Sequence, residues 1–419
     1  MGKLKILFIK NRCEKIARHK KRRTGKMHNF KFSFENSILF TRSQKTFMKN
    51  DFYDSCSVND GVVLIYIPKI FSILKNPNES LKVLKKINWA FMNLSVKSID
   101  FDYAKCDVLG LDASVITDLL VLNGKRYRRQ IKVPIDISGT VPSKYNAGEL
   151  FYNSGLLKHL NITKVEDPLV ERLDPFTNIS KKPNYATNQT ILYINNCLKR
   201  KGYELNIKGI DYFNNLIGEI IGNADEHSGE NGEWYVSGHF TEATDSEYGK
   251  GNLVFISIGN TIYENLKYNV KSTDIDMKLK KHLEKQRGLF DFNWNEELSL
   301  TVFGLQYKIS SERNEQYPDR GTGTIKFIDS FSKLGKTING DVPLMSITSG
   351  NAHIFFDGTY VLKENENNVP VIAFNKENDI EHKPDSDKVK LLSEKFPGVI
   401  ISVEFYIDKR YFDKIREAI

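Results

Sequence analysis

Long apolar runs are missing from this chain. Nothing approaches the ~18 consecutive apolar residues of a spanning helix, and no apolar segment followed by small residues opens the N-terminus. Neither a membrane span nor a secretory leader is therefore expected, which places the chain in the cytoplasm with no membrane partner. Cysteine is also scarce. Cys13, Cys56, Cys106 and Cys197 are scattered and form no Cys-x-x-Cys pair, so neither a zinc site nor a disulfide framework is suggested and the four read as reduced thiols.

What is present is enough for real cores. The 419 residues are 40% hydrophobic and 11% aromatic, a length that suits two domains. Lys and Arg total 61 against 52 Asp and Glu, a net charge of +9, and the excess is concentrated in Lys10 to Lys26. We read residues 1–30 as a basic arm. Such an arm gains affinity for DNA or RNA by releasing counterions; a solubilising tail and a contact to an acidic protein are the alternatives.

From Gly61 strand and helix patterns alternate. GVVLIYI, SIDFDY and VPIDI (from Val133) read as strands; SLKVLKKINWAFMNL and GELFYNSGLLKHLNI read as helices. CDVLGLDASVITDLLVLN reads as a turn entering a helix, with Leu111, Val115, Leu119 and Leu122 as its apolar face. The alternation predicts an α/β layer structure over 31–164. Leu111, Asp112, Ala113 and Ser114 at that helix start weakly resemble the Asp-Ser site of STAS-like domains, the fold of anti-anti-sigma factors. Ala113 interrupts the pair, and Asp112 or Ser114 capping backbone amides is the alternative to a phosphosite. Residues 165–190, rich in Pro, Asn and Thr, read as a linker.

The second unit, 191–419, is organised around Asp211 to His227. Phe213, Leu216, Ile217, Ile220 and Ile221 fall on one helical face. Glu219 and Asn223 are four apart on a stripe bordering it. A carboxylate there can orient a water, and an amide oxygen can hold a Mg²⁺ that carries phosphate oxygens; an ordinary half-buried helix is the alternative. Downstream, GEWYVSGHFTEA and NLVFISIGN read as antiparallel strands, and the second ends in Ser257, Ile258, Gly259, Asn260. Asp319 and Arg320 lead into Gly321, Thr322, Gly323, Thr324, a glycine pattern that turns backbone N–H groups toward an anion. The helix IKFIDSFSKLG follows.

Glu219, Asn223, Ala224 and His227 resemble the N-box of the GHKL superfamily, the ATP-binding fold of sensor histidine kinases, anti-sigma kinases, Hsp90, MutL and type II topoisomerases. Arg320 to Thr324 resemble its second glycine box. The resemblance covers roughly Leu192 to Asp408 and implies a Bergerat-type α/β sandwich binding ATP and Mg²⁺. On it, Asn223 is the metal ligand and Glu219 the base or water-orienting group, with His227 completing the N-box. Ser257, Gly259 and Asn260 stand at the base, and Arg320, Gly321, Thr322, Gly323 and Thr324 at the phosphates. Ser257 departs from the family's Asp, so weak ATP affinity or relaxed ATP/GTP selectivity is expected. The segment from Thr261 to Arg320 takes the place of the ATP lid, where Lys281, His282 and Arg287 either reach phosphates or lie on a solvated face. Ser349 and Gly350 are expected to form a turn between two closing strands.

The implied functions are an ATP-gated switch in bacterial signalling, stress response or phage defence, an anti-sigma-like Ser/Thr kinase, or a non-catalytic interaction module. All three involve a protein partner, and a homodimer is compatible with each. The arm generates the first test. Deleting Met1 to Lys26 is expected to leave nucleotide binding unchanged while abolishing a gel shift of DNA or RNA that weakens steeply with salt. Equal probe binding by the truncated protein would rule out a nucleic-acid role for the arm.

Overall fold

In the computed structural model the described residues are 60–160, 170–177, 183–200, 202–227, 233–242, 248–270, 272–287, 295–310, 321–332, 337, 339–408 and 410. The basic arm and residues 31–59 lie outside them, as do Cys13, Cys56, Asp319 and Arg320. The chain divides into two compact units at Glu166 and Asp167. Both are mixed α/β. Among the described residues no helix is long and apolar enough to cross a membrane.

In the first unit, β1 (Val62–Tyr66), β3 (Ser98–Asp102) and β5 (Asp136–Gly139) form a parallel sheet in the order β1-β3-β5. A second parallel pair joins β2 (Ile70–Phe71) to β4 (Val108–Leu109). Parallel neighbours need crossovers, and two helices supply them: α1 (Pro77–Met92) between β1 and β3, and α2 (Leu111–Gln130) between β3 and β5. A third helix, α3 (Tyr145–Tyr152), and a 3-10 turn at Leu156–His159 follow. Period-two alternation sends Val63 and Ile65 into the core and leaves Val62, Leu64 and Tyr66 exposed.

The face expected for α2 holds at Leu111, Val115 and Leu119, whereas Leu122 is 49% exposed. Asp112 and Ser114 are both buried. Gly110 takes the N-cap position. Asp112 accepts from the Leu74 and Ala113 amides, both near 2.8 Å, so it ties α2 to the loop ahead of α1. Burial of Ser114 withdraws its hydroxyl from any modifying enzyme. At the other end of α2, the fully buried Arg128 donates to the carbonyls of Asn93 and Val96. One guanidinium thus closes the C-terminus of α1.

The second unit is built on a five-stranded antiparallel sheet in the order β6-β7-β8-β12-β9. Its strands are β6 (Val170–Thr177), β7 (Glu233–Glu242), β8 (Tyr248–Ile258), β9 (Leu344–Phe356) and β12 (Val389–Asp408); β10 (Lys363–Glu364) and β11 (Pro370–Val371) make a small separate hairpin. β12 is the joint. It pairs with β8 from Asp408↔Tyr248 to Gly398↔Ile258 and with β9 on its other edge.

The stretch read as a linker is part of this unit. β6 pairs with β7, and α4 (Pro183–Arg200) begins well before Ile191. Proline suits the first helical position, where no N–H is needed. Thr187 and Thr190 bond back to the Pro183 and Ala186 carbonyls, which keeps these hydroxyls inside the helix. The composition was that of a loop; the positions are those of a helix start.

The central helix, α5 (Ile207–His227), lays Ile217 and Ile221 into a core with Phe255, Met345, Ile347 and Phe405 of the sheet and with Phe327 of α9 (Gly323–Ser332). The segment expected to be a lid carries three helices, α6 (Ile262–Tyr268), α7 (Thr273–Arg287) and α8 (Glu296–Gly304). These share a core of Leu266, Ile275, Leu279, Leu300 and Phe303. His282 belongs to that core rather than to phosphates or solvent. It stacks on Phe303 with ring centroids 4.7 Å apart and bonds the Ser299 hydroxyl at 2.8 Å.

Ser349 and Gly350 do not form a turn between strands. Both lie within β9, where Gly350 takes φ +62° opposite the register shifts of β12. The positive φ favours glycine here, and a Cβ at Gly350 would also displace the Glu297 carboxylate, 2.0 Å away. Asn351, next in the strand, donates its amide to that carboxylate at 2.8 Å.

His353, also on β9, receives or donates a 2.8 Å bond at Nδ1 with the Thr348 hydroxyl. Burial, aided by the Lys390 charge, holds it down from the ordinary 6.5 to about 3. The unfolded chain takes up a proton that the folded chain refuses. Stability from this residue is therefore complete above about 6.5 and lost as pH falls, by up to ~1.4 kcal/mol per pH unit. Urea midpoints are expected to drop between pH 7.5 and pH 5, and to drop less in His353→Gln. Equal pH dependence in the two proteins would remove His353 as the cause.

Candidate functional site

Gly218 and Gly222 sit one above the other in the middle of α5, a position where glycine costs about 1 kcal/mol relative to alanine. Packing does not demand them. A Cβ on Gly222 would meet nothing within 4 Å, and one on Gly218 would touch only the Thr187 methyl, at 3.9 Å. Both face a cavity of about 790 Å³. Asn215, Glu219 and Asn223, spaced i, i+4, i+8 on the same helix, line it beside them.

The floor of the cavity is the sheet, through Phe255 and Ser257 of β8, Ile347 of β9, and Val399 and Ile401 of β12. Apolar lining comes from Ile262 and Leu266 of α6 and from Gly304 and Leu305 at the end of α8. Gly321, Thr322, Gly323 and Thr324 line it as well. Gly321 has φ +89°, and a Cβ on it would come within 2.7 Å of the Ile309 backbone. Its carbonyl accepts from the Lys308 amide at 2.8 Å, and the Thr322 carbonyl accepts the first helical bond of α9 from Lys326. The N-terminus of α9, with its partial positive charge, therefore opens on the cavity.

Glu219 and the glycine box are neighbours. A Cβ on Gly323 would lie 1.9 Å from Glu219 Oε2, so this carboxylate rests against the first turn of α9. Glu219 and Glu226 are the charged side chains among the described lining residues, and no Lys or Arg joins them. The remaining polar groups are neutral amides and hydroxyls, including Asn184, Asn260, Asn265 and Ser310.

Of the residues singled out in the sequence, Glu219, Asn223, Ser257, Asn260 and Gly321 through Thr324 line this one cavity. Gly259 stands at the strand end with φ +147°, its amide bonded to the Pro397 carbonyl at 3.1 Å, and does not line it. His227 ends α5, and its side chain lies outside the described residues, as Arg320 does. Asn184, Asn215, Gly218, Gly222, Asn265 and Ser310 were missed. The i±4 stripe through Glu219 pointed to Asn215, and two mid-helix glycines four apart were the signal for Gly218 and Gly222.

Compared with family models, curated proteins and solved structures, the chain gives no significant match to any of them. Function is therefore argued from the site alone.

The glycine pair supplies the test of the cavity. Gly222→Ala is expected to stabilise the second unit by up to ~1 kcal/mol, read as a rise in melting temperature, while weakening whatever ligand fills the space. A variant that is less stable than wild type would show that the backbone there needs glycine for its own conformation.

Proposed function

We infer that the second unit is a GHKL-type module that binds ATP with Mg²⁺ and acts as an ATP-dependent regulatory switch. The observation that supports this most is the convergence of Glu219, Asn223, Ser257, Asn260 and Gly321 to Thr324, drawn from separate elements, on one cavity. Its apolar lining suits a flat base, and its glycine loop, at a helix N-terminus, suits phosphates.

The donor set fits Mg²⁺. Asn223 and Glu219 offer only oxygens as acceptors, and among the described residues no three His, Cys, Asp or Glu side chains gather into a cage. A metal that shares its shell between one amide oxygen and ligand phosphates matches that scarcity. When bound it would neutralise phosphate charge that no described lining cation offsets. Glu219, against α9, is placed to orient a water or accept its proton. Asn223, one turn on, holds the metal edge of the ligand. The first unit, read as STAS-like, recruits a protein partner. Ser257 in place of a carboxylate favours a second reading, in which the cavity binds nucleotide without turnover and works only as an interaction module.

Calorimetry with ATP, ADP and GTP, with and without Mg²⁺, separates these readings. ATP is expected to bind in a Mg²⁺-dependent way that Asn223→Ala abolishes. Glu219→Ala should keep binding and lower hydrolysis by about 10²-fold or more. Binding indifferent to both EDTA and Asn223→Ala would sink the metal assignment, and a wild type without turnover would leave the interaction module.

A further inference from the structure

We propose that the chain's own basic arm, residues 1–30, lies over the open face of the first unit's parallel sheet, with its apolar start on β1 and its cations on Asp100, Asp102 and Asp136.

Both crossovers of this sheet step the same way, from β1 to β3 and from β3 to β5. Parallel crossovers share one hand, so α1 and α2 lie on the same face, where they also pack on each other. That face holds Val63, Ile65, Ile99, Phe101 and Ile137, all buried. By the period of two, the opposite face carries Val62, Leu64 and Tyr66 on β1, Asp100 and Asp102 on β3, and Asp136 on β5. The remaining outward positions of these strands are serines, and none is Lys or Arg. Tyr66 is 64% exposed, and Val62 and Leu64 are exposed beside it. Asp100 accepts from the Ser138 hydroxyl at 3.1 Å and Asp102 from the Thr140 hydroxyl at 3.0 Å. Those donors are neutral, so they leave the carboxylate charge uncompensated. Purely parallel sheets occur almost only with both faces covered. An apolar strip beside a row of carboxylates therefore marks a face that lacks its cover among the described residues.

The arm has the complementary chemistry. Leu4, Ile6, Leu7, Phe8 and Ile9 lead into Lys10 to Lys26, where nine Lys and Arg stand against Glu14 alone. A second copy of the chain does not complement the face, because a symmetric contact would set carboxylate against carboxylate. The point of attachment also suits a cover supplied by the chain itself. β1 is an edge strand of its sheet, and the chain enters it through Asp60 at φ +51° and Gly61 at φ +86°. Two successive positive φ values are those of a hairpin turn, which returns the preceding chain alongside β1 instead of leading it away. The 33 residues between Lys26 and Asp60 reach ~100 Å when extended, against ~10 Å from β1 to β5. Arm cations held by the sheet are withheld from any polyanion, so the two compete for the same charges.

Limited trypsin digestion of the full chain tests the covering, with cleavage inside residues 1–30 measured against a free synthetic peptide of the same residues. Wild type is expected to be cut about tenfold or more slowly than the peptide, because cleavage follows the population in which the arm is released. Asp100→Asn/Asp102→Asn/Asp136→Asn and, separately, Leu64→Ser/Tyr66→Ser should each bring the rate close to that of the peptide. An unchanged melting temperature separates a released arm from an unfolded unit. High salt should release the wild-type arm as well. A wild-type arm cut as fast as the peptide would overturn the proposal, as would protection that survives both sets of substitutions. Protection lost on dilution, with a dimer in sedimentation, would assign the face to a second copy and overturn it too.

Discussion

The second unit depends on one helix meeting two incompatible demands. α5 must bury Ile217 and Ile221 against the sheet, and the next stripe of the same surface must stay open to a cavity. At i, i+4 spacing the two stripes run parallel for the length of the helix. The core stripe fixes the rotation of α5, and that rotation aims Asn215, Glu219 and Asn223 without further support. Gly218 and Gly222 keep the rim clear. The stability lost to two mid-helix glycines is offset by the apolar burial on the neighbouring stripe, where each large side chain contributes on the order of 1.5 to 3 kcal/mol.

The glycine loop and the Asn260 loop, both of which line the cavity, are built by different devices. At Gly321 the backbone comes so close to that of Ile309 that any side chain would collide, and at Gly323 it lies against the Glu219 carboxylate. At Asn260 and Asn265 the precision comes from side-chain amides that hold each other, on a loop pinned by a capping box and an ion pair.

Those two devices differ in how far the sequence revealed them. Period-two alternation marked β1, β3 and β8, and the 3.6-residue period marked α1, α2 and α5, because in each the buried face is decided locally. The Gly-x-Gly of Gly321 to Gly323 was equally legible, because an amphipathic helix follows it directly. The failures were of two kinds. At Pro183 the composition suggested a break, while helix termini accept what interiors reject. At Ser349 and Gly350 a turn pair sits inside a strand, because the register of β12 against β9 shifts there; no local signal encodes a shift in a partner hundreds of atoms away along the chain. The amide chain of Asn260, Asn265 and Asn269 was invisible for the same reason, since its meaning lies in orientation and not in residue type.

The place of β12 in the sheet bears on how this unit comes to exist during synthesis. β12 is the last described strand in the chain, yet it lies between β8 and β9 and supplies Val399 and Ile401 to the cavity floor. Until it leaves the ribosome, β6, β7 and β8 can form one ribbon, while β9 has no neighbour to join. α5 and the glycine loop will already have emerged, facing a floor that is not there. A nascent chain therefore has no complete cavity to offer a ligand, and an exposed edge on β8 persists until the final pairing closes it. The order of translation, as much as the order of the strands, leaves the cavity floor to be completed by the last described strand.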